Sequence, residues 1–236
     1  MEIVIAKEPP KGFDLSITVP SQYPEELLIG DLNQIINPVT GSQPDNKRIQ
    51  IWLENARETD KEQLRKLNFY PYRDLLQMRC PLPTPIRGLE TRPFRRGNDE
   101  TSFLEVNSRA FHWHPEQGTL DIKKLNDVFG EDWFEEEGFR LYEIDKRLAG
   151  FCWTKIHSTS TENIGEIFAI AVDPKFHGKG LGKPLTVSGL QHIASKGITT
   201  GMLYVESDNL PAIHVYTQIG FTVHAINRAF HNQPSK

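Results

Sequence analysis

Apolar residues recur along the chain with two periods. Leu15 to Val19 alternates apolar and polar positions like a short strand, and Pro24 to Ile36 spaces Leu27, Leu28, Leu32, Ile35 and Ile36 along one helical face. Asn37 and Pro38 are expected to stop that helix, with a loop to Asn46, a strand from Arg48 to Leu53 and a helix from Asp60 to Leu67 that ends before Asn68. The run Cys80 to Gly88 carries three prolines in five residues, which removes backbone donors and favours an extended connector. The chain is therefore divided into residues 1–80, a proline-rich linker at 81–88 and a second domain at 89–236. Downstream, Asp99 to Ala110 reads as a helix. Gly138 to Ile144, Leu148 to His157 and Glu166 to Val172 read as strands, the first two joined by a hairpin turn at Asp145-Lys146-Arg147. A glycine-rich turn after Asp173-Pro174 opens a helix to about Ser195. Met202 to Glu206 is a further strand, Leu210 to Gln218 a helix and Phe221 to Asn227 a last strand.

The two halves echo each other. At an offset of 152 residues, Ile51-Trp52-Leu53-Glu54 falls on Leu203-Tyr204-Val205-Glu206, and Leu67-Asn68-Phe69 falls on Ile219-Gly220-Phe221. Tyr216 of the second copy corresponds to Leu64 in the first, and nothing ahead of Ile51 resembles the glycine turn. The first copy reads as a remnant that kept its packing positions and lost its polar ones.

Composition narrows the function classes. With 236 residues, 38% hydrophobic and 25% charged, the chain has the make-up of a globular protein rather than a disordered one. Its 27 Lys and Arg against 31 Asp and Glu leave a formal charge of −4, so no global field favours nucleic acid. Two cysteines, Cys80 and Cys152, cannot build a disulfide framework. The opening MEIVIAKEPPKGF lacks a basic lead and a long apolar run, and no segment approaches the ~20 residues of a membrane span. A cytoplasmic protein without membrane or nucleic-acid partners is expected.

His177-Gly178-Lys179-Gly180-Leu181-Gly182 follows a strand and opens a helix. Glycines let backbone N–H groups converge on an anion at a helix N-terminus, but tight strand-to-helix turns need glycine as well. Two nucleotide loops are excluded by spacing. Gly178-Lys179 is followed by Gly180 rather than Ser or Thr, and the run is not Gly-x-Gly-x-x-Gly.

The run from Ile170 to Gly182 resembles the acetyl-CoA pyrophosphate loop of the GNAT N-acetyltransferase superfamily, with His177 where that pattern has Gln or Arg. Asn209, Ala212, Tyr216 and Gly220-Phe221 resemble its second signature. The implied fold is α/β (α+β), a mixed twisted sheet flanked by helices, with a degenerate partial GNAT-like repeat ahead of it. Within the superfamily, Val106-Asn107, His114-Pro115-Glu116-Gln117-Gly118, Trp133-Phe134, Trp153-Thr154-Lys155-Ile156-His157, Gly165-Glu166 and Leu203 to Asn209 are similar to the mycothiol synthase family. Residues 89–231 carry the likeness densely, and 48–79 match only the tail of that family's first domain, so a shortened N-terminal domain is expected.

The resemblance implies acetyl-CoA as co-substrate and cysteinyl-glucosaminyl-inositol as the amine, acetylated by direct transfer in a ternary complex; a monomer without a metal is expected. It implies Glu166 as general base and Tyr216 as the acid for the departing sulfur. Glu116, Lys155, Glu166 and Tyr204 would hold the amine substrate. Backbone N–H groups of Ile170, Ala171 and Val172, the turn His177, Gly178, Lys179, Gly180, Leu181, Gly182 and Lys183, and the wall Asn209, Leu210, Pro211, Ala212, Ile213 and His214 would hold the cofactor. Lys155 is also compatible with a solvated strand lysine, Trp113 and Trp153 with core filling, and Cys152 with a buried thiol. His112 and His114 could share one side of a strand, yet the other histidines show no ligand spacing and the reaction needs no metal. Two rival readings stay open: a GNAT enzyme for another amine, such as an aminoglycoside or a peptide N-terminus, and a non-catalytic acyl-CoA sensor.

Overall fold

The computed structural model describes residues 2–40, 47–112, 117–158 and 162–232. The chain forms two compact units. One comprises Met1–Gln77, Val205–Asp208 and Val223–Lys236, and the other Met78–Tyr204 and Asn209–Thr222.

In the first unit β1 (Val4–Ile5) pairs antiparallel with β2 (Leu15–Val19), and β2 runs parallel to β3 (Ile49–Leu53). All five positions pair, from Leu15↔Ile49 to Val19↔Leu53. A core of Ile17, Val19, Leu28, Leu32, Ile51, Leu64 and Phe230 joins these strands to α1 (Glu25–Thr40) and α2 (Glu58–Lys66). The strand β10 (Thr222–Asn232) pairs antiparallel with β3. The expected stop at Asn37-Pro38 is corrected: α1 continues through Pro38 to Thr40. So close to a helix end, proline forfeits only the bond to Gln34, and the turn already in place carries it.

One long strand, β4 (Phe69–Pro81), has no counterpart among the sequence expectations. Its Tyr70, Tyr72, Arg73 and Asp74 hide the apolar alternation that marks a strand. Arg73 pairs with Glu206, and Asp74 takes two hydrogen bonds from Arg228, at 2.6 and 2.8 Å. These neighbours point to opposite faces, so polar side chains on both faces are spent on ion pairs.

The second unit contains β5 (Arg92–Pro93), α3 (Glu100–Ala110), α4 (Ile122–Phe129), β6 (Phe139–Ile144), β7 (Arg147–Ser158), β8 (Asn163–Val172), α5 (Gly182–Ser195), β9 (Thr200–Glu206) and α6 (Leu210–Ile219). The strands lie in the order β9-β8-β7-β6-β5, antiparallel except for β8 beside β9. Asp145 and Lys146 have φ of +50° and +62°, the left-handed pair that a two-residue hairpin needs. One sheet face packs an aromatic core of Phe94, Phe103, Phe139, Phe151 and Trp153 under α3 and α4. Trp153 stacks on Phe139 at 4.3 Å between ring centroids, which makes it core. The other face is covered by α5, where a Cβ on Gly189 would stand 2.4 Å from Cys152 Sγ. Only glycine lets the helix come that close to the sheet.

Residues 81–88 belong to this unit, where Leu82 N–H donates to Thr199 C=O at 2.8 Å. Arg57 and Asn209, 152 apart, each precede a helix, and Asn68 and Gly220 end those helices with φ of +60° and +112°. Among the described residues no helix is long and apolar enough to cross a membrane.

Candidate active site

The geometry starts with an irregularity in β8. Glu166 pairs with Lys155 and Ile167 with Thr154, but Trp153 then pairs with Ala169, so Phe168 is an extra residue in the strand. Such a bulge re-aims side chains. Directly opposed residues share a sheet face, so Lys155 and Glu166 lie together, on the side of the aromatic core. Glu166 is only 8% exposed. His157 Nε2 is 2.6 Å from its Oε2. The Lys155 ammonium stands 4.4 Å from the centroid of Trp133 and 5.7 Å from that of Phe168, a cation held by ring faces. Glu166 also pairs in register with Met202 of β9, and alternation puts Tyr204 on the same face two residues on. Glu166, Lys155 and Tyr204 are therefore brought to one face. Glu116 and Trp113 lie outside the described residues.

Beyond Glu166 the sheet opens. Pairing of β8 with β9 covers Gly165↔Gly201 to Ile167↔Leu203 and stops, although β8 continues to Val172. The parallel pair of the first unit, β2 with β3, stays paired over all of its five positions. Asp173 N–H bonds Ala149 C=O on β7, whereas Val172 C=O accepts from His177 Nε2 at 3.0 Å. Alternation in an antiparallel ladder then turns the peptide groups of Ile170 and Val172 to the open side and that of Ala171 toward β7.

The turn that follows is shaped for close approach. Gly178 and Gly180 have φ of +77° and +69°, and a Cβ on either, or on Gly182, would meet nothing within 4 Å. Backbone conformation, not crowding, requires the first two glycines. The residue before α5, Leu181, offers no side-chain cap, so the first N–H groups of the helix, at Gly182 and Lys183, are left for an anion. Lys179 reaches back over the Phe176 ring. Asn209 caps α6, its Oδ1 accepting from Ala212 N–H at 3.2 Å. Leu210 is exposed, as is His214, whose Nε2 meets Gln218 at 2.7 Å.

Tyr216 sits on α6, which packs beside α5, so it belongs to the opposite side of the sheet from Glu166. Burial, with a smaller contribution from nearby Cys152, pushes its phenol above the ordinary value. Cys152 and Cys80 are both buried, and burial pushes each thiol up to about 12. A thiol so reluctant to ionise is a poor nucleophile.

Two supporting contacts escaped the sequence reading. One is His157 on Glu166, whose only signal was the i, i+2 spacing of Lys155 and His157 on one strand face. The other is Arg109 of α3, whose Nη2 lies 2.6 Å from Oδ2 of buried Asp173 at the entry to the glycine turn. Burial alone would raise the Asp173 carboxyl, but bonds from Arg109 and the Lys175 N–H outweigh it and hold it below the ordinary value. That stability is present above the ordinary carboxylate range and lost as pH falls through the folded value. Arg109→Met is expected to cost about 1–3 kcal/mol at neutral pH, since it strands a buried carboxylate. Chemical denaturation at pH 7 and pH 3.5 checks this, with the smaller loss expected in acid.

A sheet splayed beside an uncapped helix N-terminus defines a class. Residues 101–221 match the model of the Acetyltransferase (GNAT) family, and the chain belongs to that family. It is 40% identical over 196 residues to a mycothiol acetyltransferase of Streptomyces bingchenggensis, a match covering 79% of this chain and 63% of the relative. It is 43% identical over 183 residues to a protein of the same name from Acidimicrobium ferrooxidans, covering 74% and 59%. The match thus spans about three fifths of those relatives' length. In fold it is similar to the GCN5-related N-acetyltransferase from Sphaerobacter thermophilus, with a TM-score of 0.72 at 19% identity over 98% of this chain and 75% of that one. Among the described residues no group of three or more His, Cys, Asp and Glu could hold a metal ion.

Proposed function

We propose that this chain is an acetyl-CoA-dependent N-acetyltransferase that acetylates the cysteinyl amine of cysteinyl-glucosaminyl-inositol by direct transfer. The observation that carries the reading is the gap beyond Ile167, with Glu166 on one face of the sheet and Tyr216 on the other. The fit to acetyl-CoA rests on the N–H groups of Ile170 and Val172 turned to the gap, the open space over Gly178, Gly180 and Gly182, and the uncapped helix N-terminus after Leu181. When bound there, acetyl-CoA would supply an acetyl group as its thioester.

The chain's own residues do the rest. Glu166 takes a proton from the substrate ammonium, breaking an N–H bond and leaving the electron pair on nitrogen for attack. An α-amino group has an ordinary pKa of about 7.7–8.0, so modest base assistance suffices. Backbone N–H groups at the gap polarise the carbonyl. Tyr216, its proton retained by burial, protonates the departing sulfur. Lys155, Tyr204 and Glu116 supply polar contacts to the hydroxyl-rich sugar and inositol.

Release of free CoA tests this. Purified protein with acetyl-CoA is expected to release CoA rapidly with cysteinyl-glucosaminyl-inositol, and not with glucosaminyl-inositol or simple cysteine amides. Tight acetyl-CoA binding with no release from any of them would overturn the substrate assignment.

A further inference from the structure

Glu166 is held by one oxygen. His157 Nε2 lies 2.6 Å from Oε2, and because an ionised carboxylate only accepts, the ring nitrogen is the donor. The register produces this contact. Lys155 stands directly opposite Glu166, while His157 stands opposite Ile164, a diagonal neighbour on the same face. The cation in direct register is not the partner, because its ammonium is occupied by the Trp133 and Phe168 rings. The imidazole is 33% exposed and the carboxylate side chain 11%.

We propose that His157 is a positioning residue for deprotonation of the amine: its Nε2–H clamps Oε2, fixes the carboxylate plane and leaves Oε1 to face the substrate nitrogen. The inference rests on the reading of Glu166 as base. The terminal torsion of a glutamate is broad, so an untethered carboxylate samples many planes. A base must come within about 2.6–3.2 Å of the atom it deprotonates. The hydrogen bond removes that freedom before substrate arrives. The titratable and charged groups facing the carboxylate from the adjoining strands, among the described residues, are Lys155 and His157 on β7 and Tyr204 on β9.

The test compares wild type, His157→Ala, His157→Gln, Glu166→Gln and the double variant His157→Ala/Glu166→Gln, by CoA release with cysteinyl-glucosaminyl-inositol at saturating acetyl-CoA. His157→Ala is expected to lower kcat about 10- to 100-fold, the scale of a small misplacement of a reacting group, with the KM for acetyl-CoA, read from a second series at varied acetyl-CoA, unchanged. His157→Gln, whose amide N–H can still donate to Oε2, should recover most of that loss. The double variant should be no slower than Glu166→Gln alone, since His157 acts only through the carboxylate. Wild-type kcat in His157→Ala, or a double variant slower than Glu166→Gln by the full His157→Ala factor, overturns the proposal and leaves Glu166 as base. Undiminished turnover in Glu166→Gln overturns the underlying reading instead. Should His157→Ala fail to fold, or wild type release no CoA with this amine, the imidazole proton decides. A slowly exchanging Nε2–H resonance in free wild type that Glu166→Ala abolishes supports the clamp, and its absence from wild type overturns it.

Discussion

Glu166→Gln is expected to lower turnover about 100- to 10,000-fold at pH 7, the range general-base catalysis supplies, with acetyl-CoA affinity kept. Glutamine has the same shape and fills the same buried position between β7 and β9, so packing and the gap beyond Ile167 stay intact. What disappears is the capacity to take a proton. The substrate offers a way to isolate that capacity. With an ordinary amine pKa of about 7.7–8.0, only a minority of the substrate is neutral at pH 7. Raising the pH deprotonates it in solution and does the work of the missing base. The rate of Glu166→Gln should therefore climb between pH 7 and pH 9 and narrow the gap to wild type. CoA release across that range, paired with calorimetric titration of acetyl-CoA, checks both halves. A variant as fast as wild type at pH 7 would remove Glu166 from the chemistry.

How far such a site is legible beforehand depends on where its signal lives. The glycine turn, the helix α5 and the β6–β7 hairpin are written in local backbone demands: Gly178, Gly180 and the Asp145-Lys146 pair all adopt positive φ. These are properties of single residues, and sequence reports them directly. The strand β4 is not, because charged positions on it serve ion pairs with residues more than 130 positions away, as in Arg73 with Glu206 and Asp74 with Arg228. The short helix α4 was missed for a related reason. Its period is clear, with Ile122, Leu125, Val128 and Phe129 on one face behind the Asp121 cap, but eight residues carry it for barely two turns. At the site, the types Glu166, Lys155 and Tyr204 were legible by likeness to a family. The bulge at Phe168, the pairing that ends at Ile167↔Leu203 and the His157 bond were not. Each depends on register between strands, and register is settled by the whole sheet.

Tyr216→Phe should cut turnover about 100-fold or more, within the range for a lost general acid, while leaving the fold and acetyl-CoA affinity nearly unchanged. The substitution removes one oxygen from a side chain whose ring packs near Phe221, with centroids 5.8 Å apart. The apolar contact survives. The chemistry turns on how burial treats the two groups that exchange a proton. Burial, and to a smaller degree Cys152, pushes the Tyr216 phenol above its ordinary value, so it is fully protonated throughout the working pH range. A phenol made a weaker acid in this way would be a poor donor to a thiolate in water. A sulfur leaving group beside Tyr216 is not in water, however. Cys152 reports what these surroundings do to a thiol, since burial there pushes it up to about 12. Loss of solvation of the anion destabilises a thiolate as it does the phenolate, so burial that weakens the donor also strengthens the acceptor's pull on the proton. Two consequences can be measured. The wild-type rate should show no alkaline limb from Tyr216 below about pH 10. In Tyr216→Phe, amines attacking a thioester with a more acidic leaving thiol should lose less rate than those attacking acetyl-CoA, because a stable thiolate departs without a proton. Equal losses with both thioesters would place Tyr216 in the packing of α6 and not in the reaction.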